Sequence, residues 1–405
     1  MSRLRLGLLA VAAAAVVATA AGITYSAFSS TTSNPPSSFS GAAAFCSRSS
    51  AVWLTGFEHG AVSIAGGGLF TTMSATLPTA DNVTFRNGAY SLRIADPNNT
   101  STVFARKTFT ATNVVVARFA IRLSALPGVN SSLVYVDSGT DLVFGYDTAA
   151  QKFTLTAGTS TTQSASTVSA GSWYLIDLRY DLRANPHLGD WRINGVAQTQ
   201  ISRAAAATTA NAFGLGSTTN PSIYTANYDD LFVANQLTAY PVGDGRVVRL
   251  LVDGVGTHST PGSFRNDDGS AINATSWQRL DEVPMTSIAD YVRQQTANAG
   301  HYLEFTHADT GETCIREISA VLAYHSQNAP ANNGKTSVFD GAIESIVLNG
   351  DMSETAIQYA STIATPASAP WSQAAVNGLL ARVGFSTDVN GNPYWDALML
   401  EAAVA

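Results

Sequence analysis

The sequence predicts an all-β protein made of two antiparallel β-sandwiches and one short helix. Runs in which apolar and polar residues alternate recur from about residue 53 to the C-terminus, and a side-chain period of two is typical of half-buried strands. Gly, Asn, Asp and Thr separate these runs, as expected for turns between neighbouring antiparallel strands. The helix is predicted at residues 370–384, where Pro370 precedes a stretch rich in Ala, Gln and Leu.

Length and charge narrow the classes of function. A chain of 405 residues is long enough for two ordinary domains. Charged residues make up 13% of it and the net charge is −7, with no run of Lys and Arg beyond the N-terminus. Because nucleic-acid-binding proteins carry clustered basic residues, that class of function is disfavoured.

The N-terminus predicts export from the cell. Two arginines in residues 1–5 precede a long apolar run at residues 6–23, which is the pattern of a signal peptide. The run is also just long enough to span a bilayer, so residues 1–26 are a signal peptide or, as the alternative, a membrane anchor. Residues 27–50 are rich in Ser and Pro and predict a flexible linker. With their "AFS" element, these two segments resemble those of exported bacterial surface and matrix proteins.

A hairpin at residues 172–196 shows the predicted strand pattern most clearly. Four side chains alternate on the core-facing side of its first strand, namely Tyr174, Ile176, Leu178 and Tyr180. Asn194 and Gly195 favour positive φ angles and predict a tight turn. The hairpin therefore predicts an antiparallel meander with one face on a core.

Three motifs in order mark residues 51–240. "GFEHG" opens the segment, a tryptophan-led strand is followed by an "NGV" hairpin, and "YDDLFV" closes it. In this order they resemble the laminin-G-like, concanavalin-type jelly roll. The resemblance implies a jelly-roll sandwich with a surface that recognises glycan or another macromolecule.

The second half of the chain divides into a connector and a further sandwich. Residues 241–285 are rich in Gly, Asp and Asn and predict a connector that includes one strand. Residues 286–405 predict the second sandwich. The phrases "ISAVLAY", "NGDMSET" and "PYWDALMLE" are similar to a module of phage tail and virion structural proteins, although an export signal departs from that pattern.

The two cysteines are predicted to be unpaired. Cys46 and Cys314 fall in different predicted domains, so a disulfide between them is disfavoured, although an exported chain could oxidise them. Cys314 is instead expected to pack as a small apolar residue.

Residues that could support catalysis are scattered. Asp177 and Asp181 share one face of a strand, but Arg179 lies between them, which favours a solvated, charge-balanced surface over a pair of catalytic carboxylates. His258 next to Ser259 is no sign of a catalytic triad, because a triad is assembled in space. No Cys and His residues have the spacing of a zinc site. The sequence therefore predicts a protein that is not an enzyme.

Aromatic rings and carboxylates supply the candidate binding residues. Tyr180 and Trp191 are candidates for stacking on a sugar, whereas Trp173 is expected to fill the core. The first and last strands of a jelly roll are neighbours, which would bring Glu58 close to Asp229 or Asp230. Oxygen ligands suit Ca²⁺, and the resemblance to sugar-binding jelly rolls implies a structural calcium there. The alternative is that these carboxylates cap loop amides.

The sequence thus predicts a non-enzymatic, exported surface or virion-like structural protein whose jelly roll binds glycan or another macromolecule. A glycan-binding adhesin module is the first alternative, and a divergent glycoside hydrolase is the second. The expected partner is a glycan or a cell-surface polymer, and homo-oligomerisation is a further option. No nucleic-acid partner is expected, and membrane contact is expected only through an uncleaved N-terminus. The expected location is extracellular, in the medium, on the cell surface or in a virion.

Overall fold

The computed structural model of the chain describes residues 50–97, 102–137, 141–219, 223–258, 263–295, 300–326, 333–352, 356–366, 370–385 and 393–405. The predicted export signal and nearly all of the predicted linker lie outside these residues. Within them, no helix is both long enough and apolar enough to cross a membrane. Residues Ala43–Ala405 form one compact unit.

The structure is all-β, as predicted. The first half of the chain contains the strands β1 (Ala51–Thr55), β2 (Thr72–Met73), β3 (Thr79–Asp81), β4 (Ser91–Asp96), β5 (Phe104–Thr112), β6 (Val114–Leu123), β7 (Ser131–Val136), β8 (Leu142–Asp147), β9 (Lys152–Ala157), β10 (Ser160–Gln163), β11 (Trp173–Asp181), β12 (His187–Ile193), β13 (Val196–Ala197), β14 (Ile201–Arg203), β15 (Ala210–Gly216) and β16 (Tyr224–Ala234). The second half contains β17 (Arg246–His258), β18 (Phe264–Asn266), β19 (Val292–Gln294), β20 (Tyr302–His307), β21 (Ile315–Ser326), β22 (Asn333–Phe339), β23 (Glu344–Asp351), β24 (Gln358–Ile363), the helix α1 (Gln373–Asn377), β25 (Leu380–Phe385) and β26 (Pro393–Val404). Short 3₁₀ turns lie at Ala65–Gly67, Leu237–Ala239 and Ser276–Arg279.

The first sandwich has two antiparallel sheets. In sheet A the strand order is β13-β12-β11-β6-β16-β4-β3, with β1 also on β16 and β14 also on β12. In sheet B the order is β10-β9-β8-β7-β15-β5-β2. Aromatic rings from both sheets interlock in the core between them, and Phe144 of sheet B lies 5.6 Å from Phe119 and 6.1 Å from Trp191 of sheet A, measured between ring centroids. The alternating residues of β11 face this core as predicted.

The second half forms a further set of sheets in the order β18-β19-β26-β17-β20-β25-β22-β23, with β21 on β26 and β24 on β21. Strand β17 belongs to two layers, because its first part pairs with β26 and its second part pairs with β20. The predicted connector therefore contributes a long strand to the second sandwich.

Strands β21 and β26 are buried along their whole length. Leu322 and Leu398 face the core of the second sandwich, whereas Val321 and Met399 face the core of the first. A third apolar cluster covers the outer face of sheet A and contains Leu54, Val114, Val116, Phe232, Ala239, Val242, Val247 and Ala403. The outer face of sheet A is therefore buried against the second half of the chain.

The helix is shorter than predicted. Ser372 caps α1 by accepting a hydrogen bond from the Ala375 amide at 3.1 Å, and Gly378 follows its last residue. The rest of the predicted helix is β25, in which Ala381 and Val383 are buried. Pairing of β25 with β20 and β22 on either side overrides the local helical preference.

Cys314 lies just before β21 and is disulfide-bonded, which contradicts the prediction of an unpaired cysteine. The other cysteine of the sequence, Cys46, lies outside the described residues. The physical reason is that the chain near residue 50 runs beside the start of β21, where the Ala51 amide donates a hydrogen bond of 3.3 Å to Glu317 Oε1. Distance along the sequence was therefore a poor guide to distance in space.

Candidate functional site

A groove lined by residues of both sandwiches combines an aromatic ring with polar side chains. One part of it, a cavity of about 320 Å³, is lined by Arg86, Trp173, Leu175, Asn194, Gly195 and Asp244. An adjoining cavity of about 310 Å³ is lined by Arg86, Asn87, Asp244, Gly245, Arg246, Glu312, Val404 and Ala405. Both cavities include Arg86 and Asp244, so this pair lies where the two parts meet. We refer to the two cavities together as the Trp173 groove.

Strand alternation directs Trp173 into the groove. Trp173 is the first residue of β11, and its neighbour Tyr174 packs on the core, so the Trp173 side chain points outward. The side chain is half-buried, which leaves part of the ring open to solvent. The expectation that Trp173 fills the core is therefore wrong.

The predicted Asn-Gly turn forms one wall of the groove. Asn194 and Gly195 have φ angles of 49° and 79°, which this kind of tight turn requires. Asn194 Oδ1 accepts a hydrogen bond of 2.8 Å from the Leu175 amide, so the turn is tied to β11 beside Trp173.

Arg86 connects the groove to buried charges behind it. Its Nη1 donates to Asp230 Oδ2 at 2.6 Å and to the Gly245 carbonyl at 3.0 Å, and its Nη2 lies 3.3 Å from Asp244 Oδ1. The Asp230 side chain is fully buried, whereas the Asp244 side chain is 90% exposed. Arg86 is thus held from behind, and the exposed Asp244 side chain is held through Oδ1 by Arg86 and by the Gly245 amide.

The residues predicted to bind calcium meet behind this groove. Asp229 Oδ2 accepts hydrogen bonds from the amides of Arg86 at 2.7 Å and Asn87 at 3.2 Å. Asp230 Oδ1 accepts from the Val247 amide at 2.7 Å, and its Oδ2 accepts from Asn87 Nδ2 at 2.7 Å as well as from Arg86. These contacts match the alternative in which the carboxylates cap loop amides.

Glu58 lies in the same buried region. Its Oε2 accepts from the Ala89 amide at 2.9 Å, while its Oε1 has no hydrogen-bond partner among the described residues. Glu401 of β26 lies close by and accepts from the amides of Gly56 and Glu58, both at 3.1 Å. In the described ranges, no group of three or more His, Cys, Asp or Glu residues could hold a metal ion. Calcium at Glu58 with Asp229 or Asp230 therefore stays a prediction.

Burial changes the proton affinity of these carboxyl groups. Desolvation, with a smaller contribution from the nearby Glu58 charge, raises the pKa of Glu401 to about 8. Desolvation likewise raises the pKa of Glu58 to about 7. Burial, followed by the charge of Asp230, raises the pKa of Asp229 as well. The junction between the two sandwiches therefore favours protonated carboxyls.

Asp177 is buried rather than solvated, which corrects the predicted surface position. Its side chain lies under the segment that follows β16, where the Gly243 amide is 3.3 Å from Oδ1. Its register partner on β6 is Arg118, whose guanidinium is fully buried and has no hydrogen-bond partner among the described residues. Asp181 is half-buried and paired with Arg183 at 2.9 Å. The two aspartates therefore have different surroundings and do not form a shared acidic site.

Tyr180 and Trp191 do not offer a stacking surface, which corrects the predicted aromatic platform. Each side chain is 1% exposed, because both point into the core of the first sandwich. Trp191 Nε1 donates to the Thr199 carbonyl at 2.9 Å, and Tyr180 packs edge-on against His187. The strand period indicated the inward direction of Tyr180, and Trp191 pairs with Leu178 on the same inner face.

Comparisons with known proteins leave the family open. No family model matches the chain, and no curated protein matches it. Among solved structures, "Cellulose induced protein, Cip1" matches with a TM-score of 0.36 and 15% identity over 45% of this chain and 97% of its own. A structure described as "Sialidase" matches with a TM-score of 0.34 and 11% identity over 47% of this chain, which is 19% of that chain. A mutant Trypanosoma rangeli sialidase with trans-sialidase activity matches with a TM-score of 0.30 and 13% identity, over 39% of this chain and 27% of its own.

Proposed function

We propose that the protein is an exported, non-enzymatic glycan-binding protein and that the Trp173 groove is its binding site. The single observation that supports this most is the partly exposed Trp173 side chain in a cavity whose other walls carry amide, carboxylate and guanidinium groups. Sugars have apolar faces that stack on aromatic rings and hydroxyl groups that bond to such polar side chains. Export is proposed from the apolar N-terminal run of the sequence.

A depression on the outer face of sheet B is the weaker candidate for this role. It has a volume of about 360 Å³, and hydroxyl-bearing residues such as Ser132, Thr154, Thr156 and Thr161 line much of it. The one aromatic residue in its lining is Tyr146, which is only 2% exposed. The depression therefore has hydroxyl groups but no open ring on which a sugar can stack.

The test is a glycan array probed with the labelled protein, followed by calorimetry with any glycan that binds. We expect Trp173→Ala to weaken binding by tenfold or more, because a buried aromatic contact often carries much of the affinity of a site. Asp244→Ala is expected to weaken binding as well, with little effect on folding because its side chain is 90% exposed. Trp277→Ala is the matched control, since Trp277 is also half-buried but lies outside the groove.

Three results would contradict this proposal. The first is that no glycan binds, and the second is that Trp173→Ala and Trp277→Ala bind a glycan equally well. The third is release of reducing sugar from a polysaccharide panel, which would favour the glycoside hydrolase alternative over a binding protein.

A further inference from the structure

A second cavity lies on the outer face of the second sandwich, where β20, β25 and β22 run side by side. It has a volume of about 170 Å³ and shares no residue with the Trp173 groove. Its lining includes His301, Tyr302, Lys335, Ser337, Glu344 and Arg382. We call it the Arg382 cavity.

Gly384 keeps the floor of this cavity open. On β25 it pairs with Tyr302 on one side and with Lys335 on the other, so it lies between these two side chains. A Cβ atom at this position would lie 2.4 Å from the His301 carbonyl oxygen, which real Cβ atoms essentially never approach so closely. Glycine is therefore required by the close backbone, and its missing side chain leaves the space between Tyr302 and Lys335.

Arg382 is held rigidly at the cavity. Its guanidinium carbon lies 3.6 Å from the centroid of the Phe339 ring and 4.8 Å from that of Tyr302. Its Nε donates a 2.7 Å hydrogen bond to Glu304, whose side chain is 2% exposed. Within the described ranges no hydrogen bond or ion pair uses Nη1 or Nη2 of Arg382. The two outer nitrogens of a fixed guanidinium are therefore available to a ligand.

Two cations line the cavity, and each is paired with a carboxylate. Lys335 Nζ lies 2.7 Å from Glu344 Oε2, and these two side chains are 34% and 32% exposed. Ser337 Oγ donates to the other oxygen of Glu344 at 2.6 Å. Glu304 lies behind Arg382 and accepts hydrogen bonds from Arg382 Nε and from the Thr257 hydroxyl. The lining therefore presents two cations and one carboxylate to a ligand, while the second carboxylate, Glu304, balances Arg382 from behind.

We propose that the Arg382 cavity binds the carboxylate or sulfate group of an acidic polysaccharide. A guanidinium presents two parallel N–H donors that match the two oxygens of such a group, and preorganisation lowers the entropic cost of binding. Lys335 supplies the second charge. The inference rests on the proposed glycan binding for its ligand class but uses residues that the Trp173 groove does not contain.

The experiment is isothermal calorimetry of the whole protein with three probes of similar length. These are a hexamer of galacturonic acid, a sulfated heparin-derived hexasaccharide and neutral cellohexaose. Lys335→Gln removes one cation at the surface, and the double variant Arg382→Gln with Glu304→Gln removes a charge pair together, so that no buried carboxylate is left unpaired. Arg279→Gln is the control, because Arg279 is also partly exposed and pairs with Asp267 and Asp290 outside the cavity.

We expect at least one acidic probe to bind, with affinity that falls as salt is raised. Lys335→Gln and the double variant should each weaken it by about tenfold, as is typical of a lost hydrogen bond to a charged group, and Arg279→Gln should not. The acidic probe that binds more tightly shows whether the cavity prefers a carboxylate or a sulfate group. If Trp173→Ala binds the acidic probe as tightly as the wild type does, the result supports binding at the Arg382 cavity. This holds even where the Trp173 groove proves not to bind a glycan. The inference is overturned if no acidic probe binds, if both cavity variants bind like the wild type, or if cellohexaose binds equally and depends on the same residues.

Discussion

The two outer faces of the first sandwich have the same strand pattern but opposite surroundings. On sheet B, Thr154 and Thr156 point outward from β9 into an open depression. On sheet A, Arg118 and Asp177 occupy equivalent outward positions, yet both are buried because the second half of the chain covers that face. An apolar period of two therefore identifies the inner face of a strand, but it does not show whether the outer face is exposed to solvent or covered by another part of the chain.

The largest expected difference between the two faces is in stability. Asp230→Asn on sheet A removes a buried charge that binds Arg86 and the Val247 amide, and weakening these hydrogen bonds to a charged group should cost about 2 kcal/mol in the free energy of unfolding. Thr156→Ala on sheet B should change that free energy by less than about 0.5 kcal/mol. Urea unfolding of both variants measures the contrast. Equal effects would show that sheet A is not covered in solution.

The covered face should contribute to the pH dependence of stability. Since the folded protein raises the pKa of Glu401 to about 8 and that of Glu58 to about 7, folding favours their protonated forms. Both groups have unfolded pKa values near 4.5, so their contribution is complete below that pH and is lost as pH rises towards 8. We expect the free energy of unfolding to fall by several kcal/mol between pH 5 and pH 8.5, because one pKa unit corresponds to about 1.4 kcal/mol.

Glu401→Gln is the matched variant for this pH series, because it keeps an acceptor for the Gly56 and Glu58 amides but does not titrate. Its melting temperature should depend less on pH than that of the wild type. A wild-type melting temperature that rises over this range, or a variant with an unchanged slope, would contradict the assignment.

Calcium is expected to have the smallest effect. A ligand that binds only the folded state raises its melting temperature, so a bound calcium would be revealed by a chelator. If Asp229 and Asp230 only bind Arg86 and cap loop amides, EDTA should shift the melting temperature by less than about 1 °C. A fall of several degrees that Ca²⁺ reverses and Mg²⁺ does not would instead support the predicted site at Glu58 and these aspartates.

Much of the candidate site could be anticipated from local pattern, and part could not. The Asn194-Gly195 turn was predictable because its backbone angles depend on those two residues alone. The proximity of Glu58 to Asp230 followed from the pairing of the first and last strands, which the structure contains as β1 on β16. Arg86 and Asp244 gave no signal, because they lie in loops whose meeting depends on both sandwiches.

The sequence by itself determined the strand pattern of the first sandwich, its Asn-Gly turn and the inward side of β11, because these depend on neighbours a few residues apart. Only the tertiary structure decided that Trp173 opens onto a groove while Trp191 is enclosed, that Asp177 is covered, and that Cys314 is disulfide-bonded. Each of these outcomes depends on which distant segments of the chain lie next to one another. That choice is set by the burial of apolar surface over the whole chain, and no local period encodes it.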